Sequence, residues 1–279
     1  MTTIYDPHHP LYLDEADTRM ELQRVFDLCH GCRLCFEFCP SFPTLFSYID
    51  THDDQDAGRM TPAQQDHVAD ECFQCKLCYV MCPYIPELHE WALDFPRLML
   101  RTHAMRRANG QASIRDKLTT AVMGHTDVLG KVATRNGVIS NLVMSAKPGS
   151  LVRKVVEKTA GISSVRMLPP FAKQRFTTWF RKRPQIRLTK SQGDVAIFPT
   201  CLVEYQEPRI GHDMVKVYEH NGISCSLAGT TNCCGAPYLH SGDMDTFTKV
   251  AAKNISELVK DVRAGKDIVV PQPTCSYIL

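Results

Sequence analysis

The chain has 279 residues, a length typical of about two domains, and 44% of its residues are hydrophobic, too many for a disordered protein. Its first ten residues lack the basic start and apolar run of a secretory signal, and no run of about 18 apolar residues predicts a transmembrane helix. These two absences predict a cytoplasmic protein. The net charge is +2, and the chain has 13 cysteines. An odd number of cysteines in a reducing compartment predicts thiols that serve metal or redox chemistry rather than a disulfide framework.

The small net charge conceals three segments of different charge. Residues 1–100 contain 6 Lys and Arg against 17 Asp and Glu, residues 101–190 contain 19 against 3, and residues 191–279 contain 7 against 10. Contrasts of this size indicate separate functional regions. We therefore predict three domains with these boundaries: an acidic domain, a strongly basic connector and a weakly acidic domain.

The acidic segment begins with a predicted helix and continues with an internal repeat. Apolar residues such as Leu22 and Phe26 predict a helix over residues 14–28. The run CHGCRLCFEFCP, which starts at Cys29, then matches the run CFQCKLCYVMCP, which starts at Cys72, in the position of every cysteine and of the final proline. In both runs a basic residue and a leucine separate the second cysteine from the third.

The spacing C-x₂-C-x₂-C-x₃-C-P is the cluster-binding run of bacterial ferredoxins. Three cysteines of one loop bind three iron corners of a cubane, and the fourth cysteine ligates the other cluster, so that two runs form a crossed pair. The predicted ligands of two [4Fe–4S] clusters are therefore Cys29, Cys32, Cys35 and Cys82 for one cluster, and Cys72, Cys75, Cys78 and Cys39 for the other. Crossed ligation holds two clusters close together, as electron tunnelling between them requires.

Zinc is the alternative metal for these cysteines, because paired Cys-x₂-Cys motifs also bind zinc. Tetrahedral zinc would leave the third cysteine and the Cys-Pro pair of each run unexplained, so the spacing favours iron–sulfur clusters. Arg33 and Lys76 occupy matching positions in the two runs. They are either positive charges that raise the reduction potentials of the clusters or solvated loop cations.

The basic segment reads as a series of broken helices. Residues 151–156 place four apolar side chains on one helical face, with basic side chains beside them. Prolines near residues 148, 169 and 184 interrupt the pattern.

The last segment alternates strands and helices. Strands are predicted at residues 194–198, 223–227 and 267–270, with helices between them that end near Gly222 and Gly265. This order predicts a parallel sheet with right-handed crossovers. The expected fold is thus α+β multidomain, with an N-terminal α-helical ferredoxin-like domain, a basic helical connector and a C-terminal α/β parallel-sheet domain.

The chain stops soon after the third predicted strand. A parallel sheet is normally covered on both faces, and no helix is predicted to cover this strand. We therefore expect the last domain to be incomplete and the chain to be the front part of a longer protein. A naturally short form is the alternative.

Four more cysteines follow the predicted strands of the last segment. Cys201 follows the first strand, Cys233 and Cys234 follow the second, and Cys275 follows the third. Loops at the carboxyl ends of parallel strands meet where such folds bind ligands, so these thiols are candidates for a third metal or cluster site. Packing is the alternative, because free cysteine is among the most buried residue types. Cys225, inside the second strand, is expected to be a core residue.

The ferredoxin runs followed by Cys-Cys-Gly resemble the heterodisulfide-reductase-related iron–sulfur proteins, the CCG-domain family. Within that family, residues 124–130 (GHTDVLG), 198–205 (FPTCLVEY) and 233–237 (CCGAP) resemble the C subunits of anaerobic glycerol-3-phosphate dehydrogenases. Subunits of glycolate and lactate oxidation share these motifs. Family members usually carry two CCG repeats that end in Cys-x-x-Cys, whereas this chain has one repeat with Ile278 in the final position. A conventional cluster, zinc and a vestigial site are therefore all open for the CCG cysteines.

The resemblance implies an iron–sulfur subunit that passes electrons from a flavoprotein dehydrogenase, of the glycerol-3-phosphate type, toward quinone or another acceptor. The alternatives are a disulfide or thiol reductase subunit with catalysis at the CCG site, and an iron–sulfur subunit of a glycolate or lactate oxidase. No catalytic triad, phosphate loop or dinucleotide fingerprint is recognised, so no catalytic residue is predicted and flavin chemistry is assigned to another chain.

The resemblance also gives the basic connector a candidate partner in the membrane. Anionic lipid attracts polybasic segments by about 1 kcal/mol per Lys or Arg, which would place the protein at the inner face of the cell membrane. Phe176, Trp179 and Phe180, which lie among five basic residues, suit such an interface. The alternative is charge pairing with the acidic domain or with a partner subunit. No nucleic-acid partner is expected, because the cluster motifs already account for the chemistry of the chain.

Overall fold

The computed structural model describes residues 5–160, 162–184, 192–229 and 233–279. The chain forms two compact units. Unit 1 comprises Met1–Asp116 and Tyr238–Met244, and unit 2 comprises Lys117–Pro237 and Asp245–Leu279. The basic segment predicted from charge is shared between the two units, and its boundaries stay a prediction.

The first part of the chain is helical. Its elements are α1 (Glu15–Cys32), α2 (Ser41–Asp50), a short 3₁₀ helix (Ala57–Arg59), α3 (Pro62–Asp70), α4 (Leu77–Met81), α5 (Phe95–Ala108) and α6 (Ile114–Gly124). Helix α1 begins where predicted, because the Asp14 side chain accepts the backbone N–H of Asp17 and caps the helix. It continues past the predicted end at residue 28, so that Cys29 and Cys32 lie on its last turn.

One apolar core holds unit 1 together. Its fully buried side chains include Leu22, Val25 and Phe26 of α1, Leu45 and Ile49 of α2, Val68 and Ala69 of α3, and Leu98 and Met99 of α5. Six cysteines of the two ferredoxin-type runs pack against this core, namely Cys29, Cys35, Cys39, Cys72, Cys78 and Cys82. The core therefore fixes the positions of most of the candidate ligands.

The second part of the chain alternates helices and strands. Its elements are α7 (Thr126–Arg135), α8 (Gly137–Met144), α9 (Leu151–Ala160), α10 (Phe176–Lys182), β1 (Gly193–Ile197), α11 (Cys201–Tyr205), α12 (Pro208–His220), β2 (Ile223–Leu227), α13 (Ala236–His240), α14 (Met244–Arg263), β3 (Asp267–Val269) and α15 (Pro273–Ile278). Gly222 and Gly265, with φ of +73° and +80°, follow α12 and α14, as the sequence predicts.

The three strands form a parallel sheet in the order β2-β1-β3. Val195 at the centre of β1 pairs with Cys225 on one side and with Asp267 on the other. This sheet and the helices before it confirm the predicted α+β organisation. The expectation that no helix follows the third strand is wrong, because Pro273 starts α15 shortly after β3.

Cys225 lies in β2 and packs, partly buried, against the apolar cluster beneath the sheet. Burial raises the pKa of the Cys225 thiol to about 11. Both observations agree with the core role predicted for this residue.

The aromatic side chains of α10 face the interior of unit 2. Phe176 and Phe180 are buried beside Ile197 of the sheet. Trp179 stacks on His212, with ring centroids 3.8 Å apart. The interpretation of these aromatics as membrane-interface residues is therefore wrong, because the sheet needs them as its apolar cover.

Other apolar side chains of the connector point to solvent. The apolar face predicted at residues 151–156 is present on α9, where Leu151 is 82% exposed. Val138, Ile139 and Leu142 of α8 are exposed as well. None of the helices in the described ranges combines the length and the hydrophobicity that crossing a bilayer requires.

Leu22 and Met20 allow a matched test of the unit 1 core on one helix. Leu22 is fully buried and Met20 is 52% exposed. Leu22→Ala is expected to lower the free energy of unfolding by about 2–5 kcal/mol, because it leaves a cavity in the core. Met20→Ala is expected to change it by no more than about 0.5 kcal/mol. Anaerobic chemical denaturation followed by circular dichroism measures both, and equal losses would contradict this description of the core.

Candidate functional site

The two ferredoxin-type runs share a turn at the same position. Arg33, directly after α1, adopts the left-handed conformation with φ of +53°, and its N–H bonds to the Cys29 carbonyl oxygen at 2.8 Å. Lys76, the equivalent residue of the second run, adopts φ of +62° and precedes α4. The turn reverses the chain after the second cysteine of each run, so that the third cysteine returns toward the first two.

Cysteines from both runs line one cavity of unit 1. Cys29, Cys32 and Cys35 of the first run surround it together with Cys82, the last cysteine of the second run. The cavity has about 320 Å³ of empty space, and its other walls are apolar, formed by Leu28, Leu34, Phe42, Phe46, Pro83, Tyr84 and Leu93. The structure therefore brings together the four thiols predicted to ligate one cluster.

The remaining cysteines of the two runs form a second group. Burial raises the pKa of Cys72 to about 11, with further contributions from the nearby thiolates of Cys39 and Cys75. Burial also raises the pKa of Cys78, and the thiolates of Cys72 and Cys39 add to that effect. Cys78 also lies near Cys35 of the first group. The two groups are thus neighbours, and each contains one cysteine of the opposite run.

The electrostatics of these thiols suit iron–sulfur ligation. Burial, and then the nearby thiolate of Cys82, raises the pKa of Cys35 to about 11, and burial raises the pKa of Cys29 still further. Thiolates in such a place are costly unless cations balance their charge. Iron ions supply that charge, and thiolate sulfur is the ligand that iron–sulfur clusters take. The donor set therefore fits two cubanes.

Side-chain and backbone donors reach the sulfurs of two cysteines in the second ferredoxin-type run. The Gln74 side-chain amide donates to Cys72 Sγ at 3.5 Å and to the Pro96 carbonyl oxygen at 3.1 Å. The backbone N–H of Tyr84 donates to Cys82 Sγ at 3.4 Å. The sequence did not indicate a role for Gln74. Its one distinguishing feature is that the first run has Gly31 at the equivalent position. Donors of this kind stabilise negative charge on sulfur.

Arg33 and Lys76 have different surroundings despite their equivalent positions. Arg33 forms an ion pair with Asp50 and contacts His30. The hydrogen bonds from Arg33 and then from His30 hold the pKa of Asp50 below its usual value. Burial lowers the pKa of Lys76 to about 8. The charge of Arg33 is thus balanced locally, which neither of the two sequence interpretations anticipated.

The four CCG cysteines lie in a row in unit 2. The thiolate of Cys233 lies close enough to Cys201 to raise its pKa, although burial is the larger cause. Cys233 and Cys234 are hydrogen-bonded to each other, and that bond, followed by burial, raises the pKa of Cys233. For Cys234 the same bond lowers the pKa, but a hydrogen bond with Cys275 and burial raise it to about 12. The thiols after three different strands therefore meet, as the parallel topology predicts.

Helix α14 holds the Cys233–Cys234 loop in place. Gly235 has φ of +100°, and a Cβ at this position would lie 3.0 Å from the Phe247 ring, so only glycine fits without strain. The fully buried Asn254 donates its side-chain N–H to the Cys233 carbonyl oxygen at 2.9 Å. The sequence did not predict this role for Asn254, which is recognisable there only as a polar residue within a helix. In the described ranges, no group of three or more His, Cys, Asp and Glu residues already has the geometry of a site for a single metal ion.

The motif segments around the CCG site contact one another through Tyr205. Its hydroxyl donates to the Asp127 carbonyl oxygen at 2.9 Å. A Cβ on Gly130 would lie 2.5 Å from the Tyr205 ring, so this glycine lets α7 approach α11 closely. These contacts join the GHTDVLG segment to the FPTCLVEY segment.

Thr126, at the start of α7, lies against the CCG thiols. A hydrogen bond with its side chain lowers the pKa of both Cys201 and Cys233, against the larger effects that raise them. Its hydroxyl oxygen is buried. A buried hydroxyl beside Cys201 and Cys233 fits a site built for a bound group. Thr126 was not predicted, although it belongs to the GHTDVLG segment.

Comparison with known proteins agrees with both sets of cysteine motifs. Residues 21–83 match the 4Fe-4S dicluster domain, and residues 195–279 match the cysteine-rich domain named CCG. The chain is 30% identical over 166 residues to the C subunit of the anaerobic glycerol-3-phosphate dehydrogenase of Escherichia coli K12, covering 59% of this chain and 41% of that protein. It is 30% identical over 81 residues to lactate utilization protein A of Bacillus pumilus, covering 29% and 32%.

A third relative is an uncharacterized iron-sulfur protein of Methanocaldococcus jannaschii, 33% identical over 61 residues, covering 22% of this chain and 12% of that protein. The chain thus spans about two fifths of the Escherichia coli relative and less of the other two. No solved structure matches the chain at a significant level. The chain thus contains a region similar to a 4Fe-4S dicluster domain followed by a region similar to a CCG cysteine-rich domain, in the order of its cysteine motifs.

Proposed function

We propose that the chain is an electron-transfer subunit with two [4Fe–4S] clusters in crossed ligation. Cys29, Cys32, Cys35 and Cys82 hold one cluster, and Cys72, Cys75, Cys78 and Cys39 hold the other. The cavity that Cys82 shares with the first three cysteines is the observation that carries this proposal. A cluster held by these cysteines would supply one-electron transfer.

The protein's own residues set the conditions for this transfer. The apolar walls of the cavity shield the Cys29 sulfur from water. The donors from Gln74 and Tyr84 stabilise charge on the sulfurs of Cys72 and Cys82. Burial and hydrogen bonds to sulfur are the main means by which a protein adjusts a cluster potential. Transfer between the two clusters needs no acid or base, because only electrons move in that step.

An exposed apolar surface lies beside the second run. Cys75 is exposed, and so are Phe73 at 67% and Val80 at 76%, together with Leu77 and Met81. Exposed apolar surface of this kind marks protein contacts. We propose that a redox partner docks here, where a ligand of one cluster reaches the surface and the tunnelling distance is short.

The relatives support a choice of partner. One is named as part of a glycerol-3-phosphate dehydrogenase, which supports a flavoprotein dehydrogenase of that type as the electron donor. Lactate utilization protein A supports a lactate-oxidising donor as the second candidate. We propose membrane quinone as the acceptor, with the chain at the inner face of the cell membrane. The exposed aliphatic side chains of α8 and α9 beside basic residues support this contact.

We further propose that the CCG thiols hold a third metal or cluster. The row from Cys201 to Cys275 and the buried Thr126 hydroxyl support this assignment. Reduction of a disulfide or thiol substrate at this place is the alternative function, and it would need an open ligand position on the bound group.

Pairs of substitutions test which cysteines share a cluster. Cys39→Ala and Cys72→Ala should each remove about half of roughly eight iron atoms, because each breaks the same cluster. The double variant Cys39→Ala/Cys72→Ala should lose no more iron than either single variant. Cys29→Ala/Cys39→Ala should lose nearly all of the iron of the two cubanes and keep only metal bound at the CCG thiols. Iron analysis and EPR of the reduced, anaerobically purified proteins measure these losses.

The reverse result would contradict crossed ligation. If Cys29→Ala/Cys39→Ala retained half of the iron and Cys39→Ala/Cys72→Ala lost it all, each run would hold its own cluster. Iron-free wild-type protein would reject the electron-transfer function itself.

Replacement of Gln74 tests its hydrogen bond to Cys72. Gln74→Met removes the N–H donor at similar volume and should lower the reduction potential of one cluster by roughly tens of millivolts, because the reduced state carries more charge on sulfur. EPR-monitored redox titration resolves the two clusters, and the other cluster serves as the internal control. A potential that does not change, or an equal change in both clusters, would show that Gln74 does not act through Cys72.

The CCG site can be tested in protein that lacks both cubanes. Cys29→Ala/Cys39→Ala should retain iron or zinc at the CCG thiols, and further replacement of Cys233 and Cys234 by Ala should remove it. Metal analysis by mass spectrometry gives the content of each variant. A metal-free Cys29→Ala/Cys39→Ala protein with native circular dichroism would make the CCG thiols a packing element.

A further inference from the structure

Unit 2 contains an open cavity with basic walls that the electron-transfer function does not use. Its lining comes from α7, from the loop before α10 and from α10 itself: Lys131, Thr134 and Arg135, then Lys173, Gln174 and Arg175, then Thr178 and Lys182. The cavity has about 980 Å³ of empty space. Five of the eight lining residues are cations, two carry hydroxyl groups, one carries an amide and none is acidic.

The first wall of this cavity is fixed to α11. Tyr205 of α11 holds α7 through its hydroxyl bond to Asp127 and through the close approach at Gly130. With α7 held there, Lys131, Thr134 and Arg135 lie on one face of the helix, three and four residues apart.

The second wall is fixed to the same helix. The buried carboxylate of Glu204 accepts the backbone N–H of Thr177 at 2.9 Å and the Thr177 hydroxyl at 2.7 Å. The backbone N–H of Ala172 donates to the Tyr205 carbonyl oxygen at 2.8 Å. Both walls therefore rest on one short helix, and the cavity is preorganised rather than assembled by flexible loops.

Most cations of the cavity have no counter-charge in the part of the chain that the structure describes. Within those ranges, Lys131, Arg135, Lys173 and Lys182 form no ion pair, whereas Arg175 lies 3.5 Å from Glu204. Like charges gathered around one cavity repel one another, and a bound anion removes that repulsion. The hydroxyl oxygen of Thr134 is also buried and has no hydrogen-bond partner among the described residues. The cavity therefore offers positive charge together with unused hydrogen-bonding capacity.

We propose that this cavity binds a phosphate group, carried either by a soluble phosphomonoester or by a phospholipid headgroup. A phosphate carries up to two negative charges and several acceptor oxygens, which match the guanidinium, ammonium, hydroxyl and amide groups of the walls. A single carboxylate carries one charge and two acceptors, and would leave most of these groups unused. The site is separate from the cysteines of both domains and does not depend on cluster binding.

The test compares two variants of the full chain, purified without oxygen, that lose the same charge. Arg135→Gln/Lys182→Gln removes two cations from the cavity. The control Lys249→Gln/Arg263→Gln removes one exposed lysine and one exposed arginine from α14, outside the cavity and outside the proposed membrane contact. Methyl phosphate and acetate are titrated by calorimetry. Phosphatidylcholine vesicles with and without phosphatidic acid are tested by flotation. Circular dichroism and iron content confirm that both variants are folded.

For a soluble ligand, we expect methyl phosphate to bind saturably to the wild type and to the control. Its affinity for Arg135→Gln/Lys182→Gln should be at least about tenfold lower. Binding only to vesicles that contain phosphatidic acid, with the same dependence on the cavity variant, assigns the phosphate to a lipid headgroup. Equal losses in both variants would mean general attraction to a basic surface and would overturn the proposal. Acetate binding as tight as that of phosphate, or no binding in any arm, would overturn it as well.

Discussion

The charge of closely spaced thiolates is the constraint on which unit 1 depends. Cysteines from two distant runs share a small region with apolar walls, where ionised sulfur is unstable without a counter-charge. Iron ions meet that need, but only if the sulfurs are already close to their final positions. The packing of α1, α2 and α5 provides this, because six of the eight cysteines lie against the same core. Cluster binding and folding of this unit are therefore physically coupled.

In unit 2 a helix of five residues connects two sites of different chemistry. Helix α11 begins at Cys201, which belongs to the row of CCG thiols, and ends at Tyr205, which supports the basic cavity. Glu204, one residue earlier, fixes the opposite wall. The FPTCLVEY segment thus serves both sites, and this explains why a short motif carries several polar and aromatic residues in addition to its cysteine.

The aromatic residues of α10 show how composition can mislead. Phe176, Trp179 and Phe180 among basic residues have the composition of a membrane-interface segment, yet the structure places them beneath the sheet. The same local sequence suits either environment, because both bury aromatic rings and leave basic side chains in water. The difference depends on the sheet formed by residues that follow later in the chain, which local composition does not reveal.

The sequence by itself determined the two cysteine runs, the CCG cysteines, the helix that starts after Asp14 and the three parallel strands, because these depend on local spacing and periodicity. The pairing of Cys82 with the first run also followed from spacing, since the ferredoxin run has a known connectivity. Tertiary structure alone decided the roles of Gln74, Thr126 and Asn254 and the meeting of α7 with α10 around a basic cavity. These depend on contacts between distant segments, and no local pattern encodes which polar side chain will lie against a given sulfur.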